Sequence, residues 1–184
     1  MGLFKWFSRK KGDRDSPALI QGSGEFLDGK KDTLTSADID PEGAEKYAGY
    51  ERAMTLKKAG KLSEAAELLL KSCNPPSIYK GHYRELFKIW RQFNRDDLKV
   101  NRYQEVVDRV MTMIRLDKEM IQEMLRYWSI QQNRKLPLDY FDNDRNLLVG
   151  DAKALKRAAE ALGQNDNVRV SADLIKRFAE TKKV

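Results

Sequence analysis

Cys73 and His82 are the chain's one thiol and one imidazole, and together they could serve as a nucleophile and its base. No third group stands near them in sequence to orient or activate either one. Cys73 also falls on the apolar face of its expected helix, so the pattern predicts a buried, inert thiol. Asp142-Asn143-Asp144-Arg145-Asn146 has the oxygen-rich look of a calcium loop. Such a loop needs glycine at its sixth place and a bidentate glutamate at its twelfth. This chain has Leu147 and Lys153 there, which predicts a solvated acidic turn instead. Gly22 and Gly24 are not followed by the Gly-Lys-Ser/Thr group of a phosphate loop. No pair of carboxylates sits in an apolar stretch that would raise one pKa. A single cysteine excludes an internal disulfide framework and a cysteine zinc site, and a single histidine excludes a multi-histidine metal site. The expectation is a non-enzyme with no metal and no cofactor.

The remaining chemistry is that of binding. Arg84, Lys88 and Arg91 follow one another at steps of four and three, so a helix would place them on one face, with Gln92 beside them. Arginine's planar fork suits carboxylate or phosphate. At the amino end Leu3, Phe4, Trp6 and Phe7 are interleaved with or followed by Lys5, Arg9, Lys10 and Lys11. Aromatics at a bilayer interface plus a polybasic patch act as two weak anchors together. A short docking peptide, or a tip packed on its own domain, uses the same residues. Trp6 stands where a myristoylation motif wants Ser or Thr.

The net charge is +7 over 184 residues, with 35 basic and 28 acidic side chains. Residues 1–12 carry +4, 80–135 carry +5 and 153–184 carry +4, while 13–40 carry −4 and 136–152 carry −3. Such a distribution favours anionic partners: an acidic peptide or protein, a nucleic acid or an anionic membrane surface. No apolar run reaches the roughly 18 residues of a membrane span, and no secretory signal pattern is seen at the amino end.

The elements that would position these residues are helices. Residues 13–40, with Gln21-Gly22-Ser23-Gly24 and few large apolar side chains, read as a flexible linker behind the 1–12 tip. Asp40-Pro41-Glu42 is a helix start. The first helix should run to about Ala59 and stop at Gly60. The second should run from about Leu62 to Cys73 and end at Asn74-Pro75-Pro76. A third, from near Ser77, carries the aromatic stripe Tyr79, Tyr83, Leu86, Phe87, Trp90 and Phe93, read as packed core with Trp90 buried. Residues 94–101 read as a polar connection. A fourth helix carries Tyr103 to Ile114, and a fifth carries Leu116 to Trp128. Beyond Leu136-Pro137, Asp139 to Asn146 reads as turn. Ala152 to Leu162 reads as a helix ended by Gly163, Val168-Arg169-Val170 as briefly extended, and Ser171 as the cap of a last short helix.

Sequential helices with short connections call for a search for repeats. Ala53 and Leu56, then Gly60 at the turn, then Ala65 and Leu69, then Pro75 and Pro76, form a pattern that resembles a degenerate tetratricopeptide repeat. Gly49 and Arg52 depart from it. At the family's period of about 34 residues, Tyr83, Leu86, Phe87 and Trp90 follow Gly49, Arg52, Ala53 and Leu56. Phe87 stands where a small residue is usual. Val106 and Val110 arrive seven residues late, which makes 95–101 look like an insertion in the turn. The resemblance covers residues 41–118. It implies an all-α fold of stacked antiparallel helical hairpins, with residues 41–135 as the repeat domain, 136–184 as a C-terminal helical cap and a disordered N-terminal arm.

The resemblance also implies that the first helix of each pair lines a concave binding face. That face would hold Tyr47, Tyr50, Met54, Lys57 and Lys58 from the first pair, and Arg84, Lys88, Arg91 and Gln92 from the second. The expected function is a cytoplasmic adaptor that binds an acidic peptide or protein through this basic groove. The alternatives are a nucleic-acid-binding helical protein and a peripheral membrane scaffold anchored by residues 1–11.

Overall fold

A computed structural model of the chain describes residues 41–131 and 142–180. The N-terminal tip and the linker of residues 1–40 lie outside the described residues. The chain divides between Glu45 and Lys46 into two units. The first is described only over residues 41–45, the opening of a helix, and the packing below belongs to the second.

All the regular structure among the described residues is helical. Six α-helices follow one another: α1 Pro41–Lys58, α2 Leu62–Ser72, α3 Lys80–Lys99, α4 Tyr103–Arg126, α5 Asp142–Ala161 and α6 Asn165–Glu180, with a π-helical turn at Tyr127–Gln131 after α4. From α2 onward each helix packs on the next. Helix α1 begins at its proline and ends before Gly60, which takes the left-handed φ of +78° that glycine adopts without steric cost. Gly49, odd in mid-helix, lies where α1 passes close to α2: a Cβ there would stand 3.2 Å from Ser72 Oγ. The turn between α2 and α3 is tied by one phenol. Tyr83 Oη accepts the Ser77 N–H at 3.0 Å and donates to the Cys73 carbonyl at 3.3 Å.

Two apolar cores form. One gathers Ala53 of α1, Ala65 and Leu69 of α2, Tyr83, Leu86, Phe87, Ile89 and Trp90 of α3, and Met113, Leu116, Met120 and Met124 of α4. The other gathers Val106, Val107 and Val110 of α4 with Leu155, Ala158 and Ala159 of α5. Trp90 is buried, its ring centroid 6.5 Å from that of Phe87. Helix α4 therefore serves both cores, its first turns facing α5 and its later turns facing α2 and α3.

Several expected boundaries move, each for a visible reason. The fourth and fifth helices are one, because no Gly or Pro interrupts Arg115-Leu116-Asp117 and the buried positions 106, 110, 113, 116, 120 and 124 continue at steps of three and four. The third helix begins at Lys80 rather than near Ser77, since Ser77 belongs to the tied turn. Its carboxyl end absorbs most of the expected polar connection, because Asn94 and Asp97 are buried and find their partners on and before α4. Asp97 pairs with Arg102 Nε at 3.2 Å and with Arg109 Nη2 at 3.0 Å, and Asn94 Oδ1 accepts from Arg109 Nη1 at 2.6 Å. Residues 95–99 are thus helix rather than a turn insertion. Helix α5 starts at Asp142, so most of the expected acidic turn is helical, and carboxylates near a helix amino end are favoured by its dipole. Val168-Arg169-Val170 is helical, since the packing of the half-buried Val168 and Val170 against the second core outweighs the small β-branched penalty. Ser171 does not cap α6; it lies inside it, fully buried, with its hydroxyl on the Val168 carbonyl at 2.6 Å.

Candidate functional site

Helices α1 and α3 bring part of the expected basic face together. Lys57 of α1 and Lys88 of α3 both hydrogen-bond Glu85, one to each carboxylate oxygen. Glu85 is mostly buried between them, with 15% of its side chain exposed. Partial burial pushes its carboxyl up, but the hydrogen bonds and charges of Lys57 and Lys88 outweigh that and hold it below the usual carboxylate range. Arg84 and Lys58 are exposed nearby in sequence, and Lys58 makes no ion pair among the described residues. Tyr47 stands 60% exposed. Met54 is half-buried against the core and Gln92 is exposed.

Tyr50 has another neighbour than expected. Its ring stacks on His82, centroids 4.9 Å apart, and Tyr79 covers the same imidazole at 5.5 Å. His82 is buried and its Nδ1 has no hydrogen-bond partner. Burial, with the Lys46 charge adding to it, pushes the imidazole below its ordinary value and favours its neutral form. Cys73 is fully enclosed. Burial pushes its thiol up to about 12 against a small opposing pull from Lys46, so thiolate is absent at neutral pH.

Arg91 is spent elsewhere. Its Nε lies 3.0 Å from both oxygens of Asp151 on α5, and its Nη2 lies 2.7 Å from Oδ2. The side chains are 19% and 5% exposed. Burial pushes the Asp151 carboxyl up; the hydrogen bonds and charge of Arg91 pull it back without cancelling the shift. Arg91 therefore joins α3 to α5, while Arg84 and Lys88 stay on the exposed side of α3.

Sequence reasoning missed Glu85, Asp151 and the Asn94–Asp97–Arg109 cluster. Glu85 was detectable three residues before Lys88. The spacing of Arg102 and Arg109, seven apart, also marks one helix face. Asp151 lies sixty residues from Arg91, and no local pattern announces the pair. The expected membrane-contact residues Leu3, Phe4, Trp6, Phe7, Lys10 and Lys11 lie outside the described residues. Among those described, no helix is long and apolar enough to cross a membrane.

Compared with family models, curated proteins and solved structures, the chain has no significant match.

Proposed function

We propose that the chain is a non-enzymatic, cytoplasmic adaptor on stacked, tetratricopeptide-like hairpins, and that the α1–α3 face binds an acidic peptide or protein. The observation carrying this reading is the meeting of Lys57 and Lys88 on Glu85. A carboxylate is already seated between ammonium groups from two helices. Lys58 offers the same chemistry to a carboxylate from outside, Arg84 is exposed four residues before Lys88 on α3, and the exposed ring of Tyr47 adds apolar contact area. Nucleic acid is the poorer fit, because a single strand stacks its bases on a run of exposed rings, and Tyr83, Phe87 and Trp90 of the aromatic stripe are buried, which leaves Tyr47 and Tyr79 as the large aromatics exposed among the described residues.

The test is fluorescence anisotropy of a labelled Glu- and Asp-rich peptide, with its Gln and Asn counterpart as control. Exposed ion pairs contribute about 0.2–1 kcal/mol each, so a Lys58→Ala, Arg84→Ala, Lys88→Ala variant should bind roughly three- to hundredfold more weakly. Glu85→Gln should bind more tightly, since it frees Lys57 and Lys88. Arg91 is left intact because its loss would strand Asp151. Equal binding by the triple variant and the parent chain, with unchanged helical content, would refute the groove. Sequence-indifferent binding of an oligonucleotide that falls steeply with salt would favour nucleic acid instead.

A further inference from the structure

His82 is the chain's single histidine, and it sits on the seam between α1 and α3. The Tyr50 ring of α1 stacks on it with planes 15° apart, and the Tyr79 ring, from just before α3, lies on it at 25°. The residue is 5% exposed, and its Nδ1 is buried without a hydrogen-bond partner. Two turns on along α1 and one turn on along α3, Lys57 hydrogen-bonds Glu85 across the same seam. Little else fastens this stretch of α1. Ala53 alone of its side chains is fully buried, with Tyr50, Met54 and Leu56 half-buried on the larger core. A helix held by so few buried side chains belongs to the low end of local stability.

The seam tolerates a neutral imidazole and not a charged one. An imidazolium carries N–H donors on both nitrogens, whereas the neutral ring leaves one nitrogen bare. Protonating His82 in place would bury an Nδ1–H donor with no acceptor. It would also set a second cation near Lys46 of α1, whose charge adds to burial in disfavouring the proton. The two tyrosine faces favour a cation, but that attraction is weaker than the penalty for burying an unpaired charge. Lys46 also acts on the Cys73 thiol at the end of α2 and on Glu123 of α4. On its own helix the charged residues next to His82 in sequence are Lys80, Arg84 and Glu85, the last already held by Lys57 and Lys88.

We infer that the Tyr50–His82–Tyr79 stack is an acid-sensitive latch: protonation of His82 releases residues 46–58 of α1 from α3 and takes the α1–α3 face apart. Above about pH 6.5 the imidazole is neutral whether α1 is docked or released, and nothing is lost. Below it the released state takes up a proton that the docked state resists, so docking weakens as pH falls toward the docked value. Release separates Lys57 from Glu85, so an acidic ligand held on that face is let go in mild acid. This consequence rests on the proposed α1–α3 reading; the release itself does not. The raised carboxyl of Asp151 works with the opposite sign, since folding favours its protonated form, and it lies on α5.

The test is amide hydrogen exchange of the full chain at about pH 7 and about pH 5.5, read as protection factors. A released imidazole with a pKa of about 6.5 limits the effect, so protection within 46–58 should fall by up to about eightfold. Protection in the second core, at Val106, Val110, Leu155 and Ala158, should not fall. His82→Phe keeps a flat ring in the stack and has no proton to gain, so its α1 protection should stay constant. In the parent chain the ring protons of the single histidine should titrate below about pH 6.5, a readout that needs no variant. A labelled Glu- and Asp-rich peptide, still largely ionised at about pH 5.5, should lose affinity with pH for the parent and not for His82→Phe. A fall in α1 protection of less than about twofold, an equal fall in His82→Phe or in every helix, or an imidazole that titrates at or above about pH 6.5 would overturn the latch. Release of α1 with no peptide bound at either pH would support the latch and sink the α1–α3 reading; peptide bound at about pH 7 with no release of α1 would do the reverse.

Discussion

Replacing Arg91 with alanine would strand a buried carboxylate. Asp151 is 4% exposed, and all three of its hydrogen bonds among the described residues come from Arg91. Removing one partner of a buried ion pair costs about 3–5 kcal/mol. Arg91 is 19% exposed, so water can reach the vacated space, and a loss near the lower end, about 3 kcal/mol, is expected at about pH 7. The deficit should depend on pH. Arg91 acts on the ionised form of Asp151 and pulls its carboxyl down; without Arg91, burial acts alone and the carboxyl rises further. The contribution of Arg91 is therefore present while Asp151 is ionised and fades as pH falls through the folded pKa. Between about pH 7 and about pH 4.5 the gap between parent and Arg91→Ala should narrow. The parent's own Asp151, raised by burial, gives the opposite slope: its protonated form is favoured by folding, and that contribution is lost as pH rises through the folded value. Replacing both residues, Arg91→Met with Asp151→Leu, fills similar volume without charge and should be neutral or stabilising by about 1–4 kcal/mol. Urea titrations followed by circular dichroism at both pH values would measure all three. A loss below about 1 kcal/mol for Arg91→Ala at neutral pH, or an equal loss at both, would refute the reasoning.

Trp90, 9% exposed within the larger core, should cost about 3–5 kcal/mol on truncation to alanine in the same titration; a cost below about 1 kcal/mol would place its ring outside the core. Cys73, fully enclosed and with its thiol pushed up to about 12, should react with a disulfide reagent only as fast as the chain opens, and fast labelling of the native protein would show a thiol that is neither buried nor inert.

Much of the helical layout was legible because local rules and tertiary packing agree there. Pro41 opens α1, Gly60 closes it with a left-handed φ, and Gly163 separates α5 from α6 in the same way. The stripe through Tyr83, Leu86, Phe87 and Trp90 is buried. Legibility failed where a polar residue is buried against a charge from another helix. Asn94 and Asp97 read as loop because hydropathy patterning treats each side chain alone, yet Arg109 supplies partners to both. The candidate face divides in the same way. Helical spacing puts Arg84, Lys88 and Arg91 on α3, but cannot see that Asp151 has engaged the last of them or that Glu85 joins Lys57 to Lys88.

These internal pairs also limit what the charge of +7 can mean for a partner. Residues 80–135 hold the largest positive excess, but many of its cations are already committed. Lys88 is on Glu85, Arg91 on Asp151, Arg102 and Arg109 on Asp97, Arg115 on Glu119 and Arg126 on Glu123. A committed cation still contributes to the long-range field, but its pair acts as a dipole whose reach is short compared with a free charge. Short-range recognition of an acidic ligand therefore falls to cations without such a partner, such as Lys58 and Arg95, and to those that an incoming carboxylate can share, such as Lys57 and Lys88. The first kind should raise the association rate and lose that effect in salt; the second should act on the dissociation rate, because sharing requires Glu85 to yield part of its coordination.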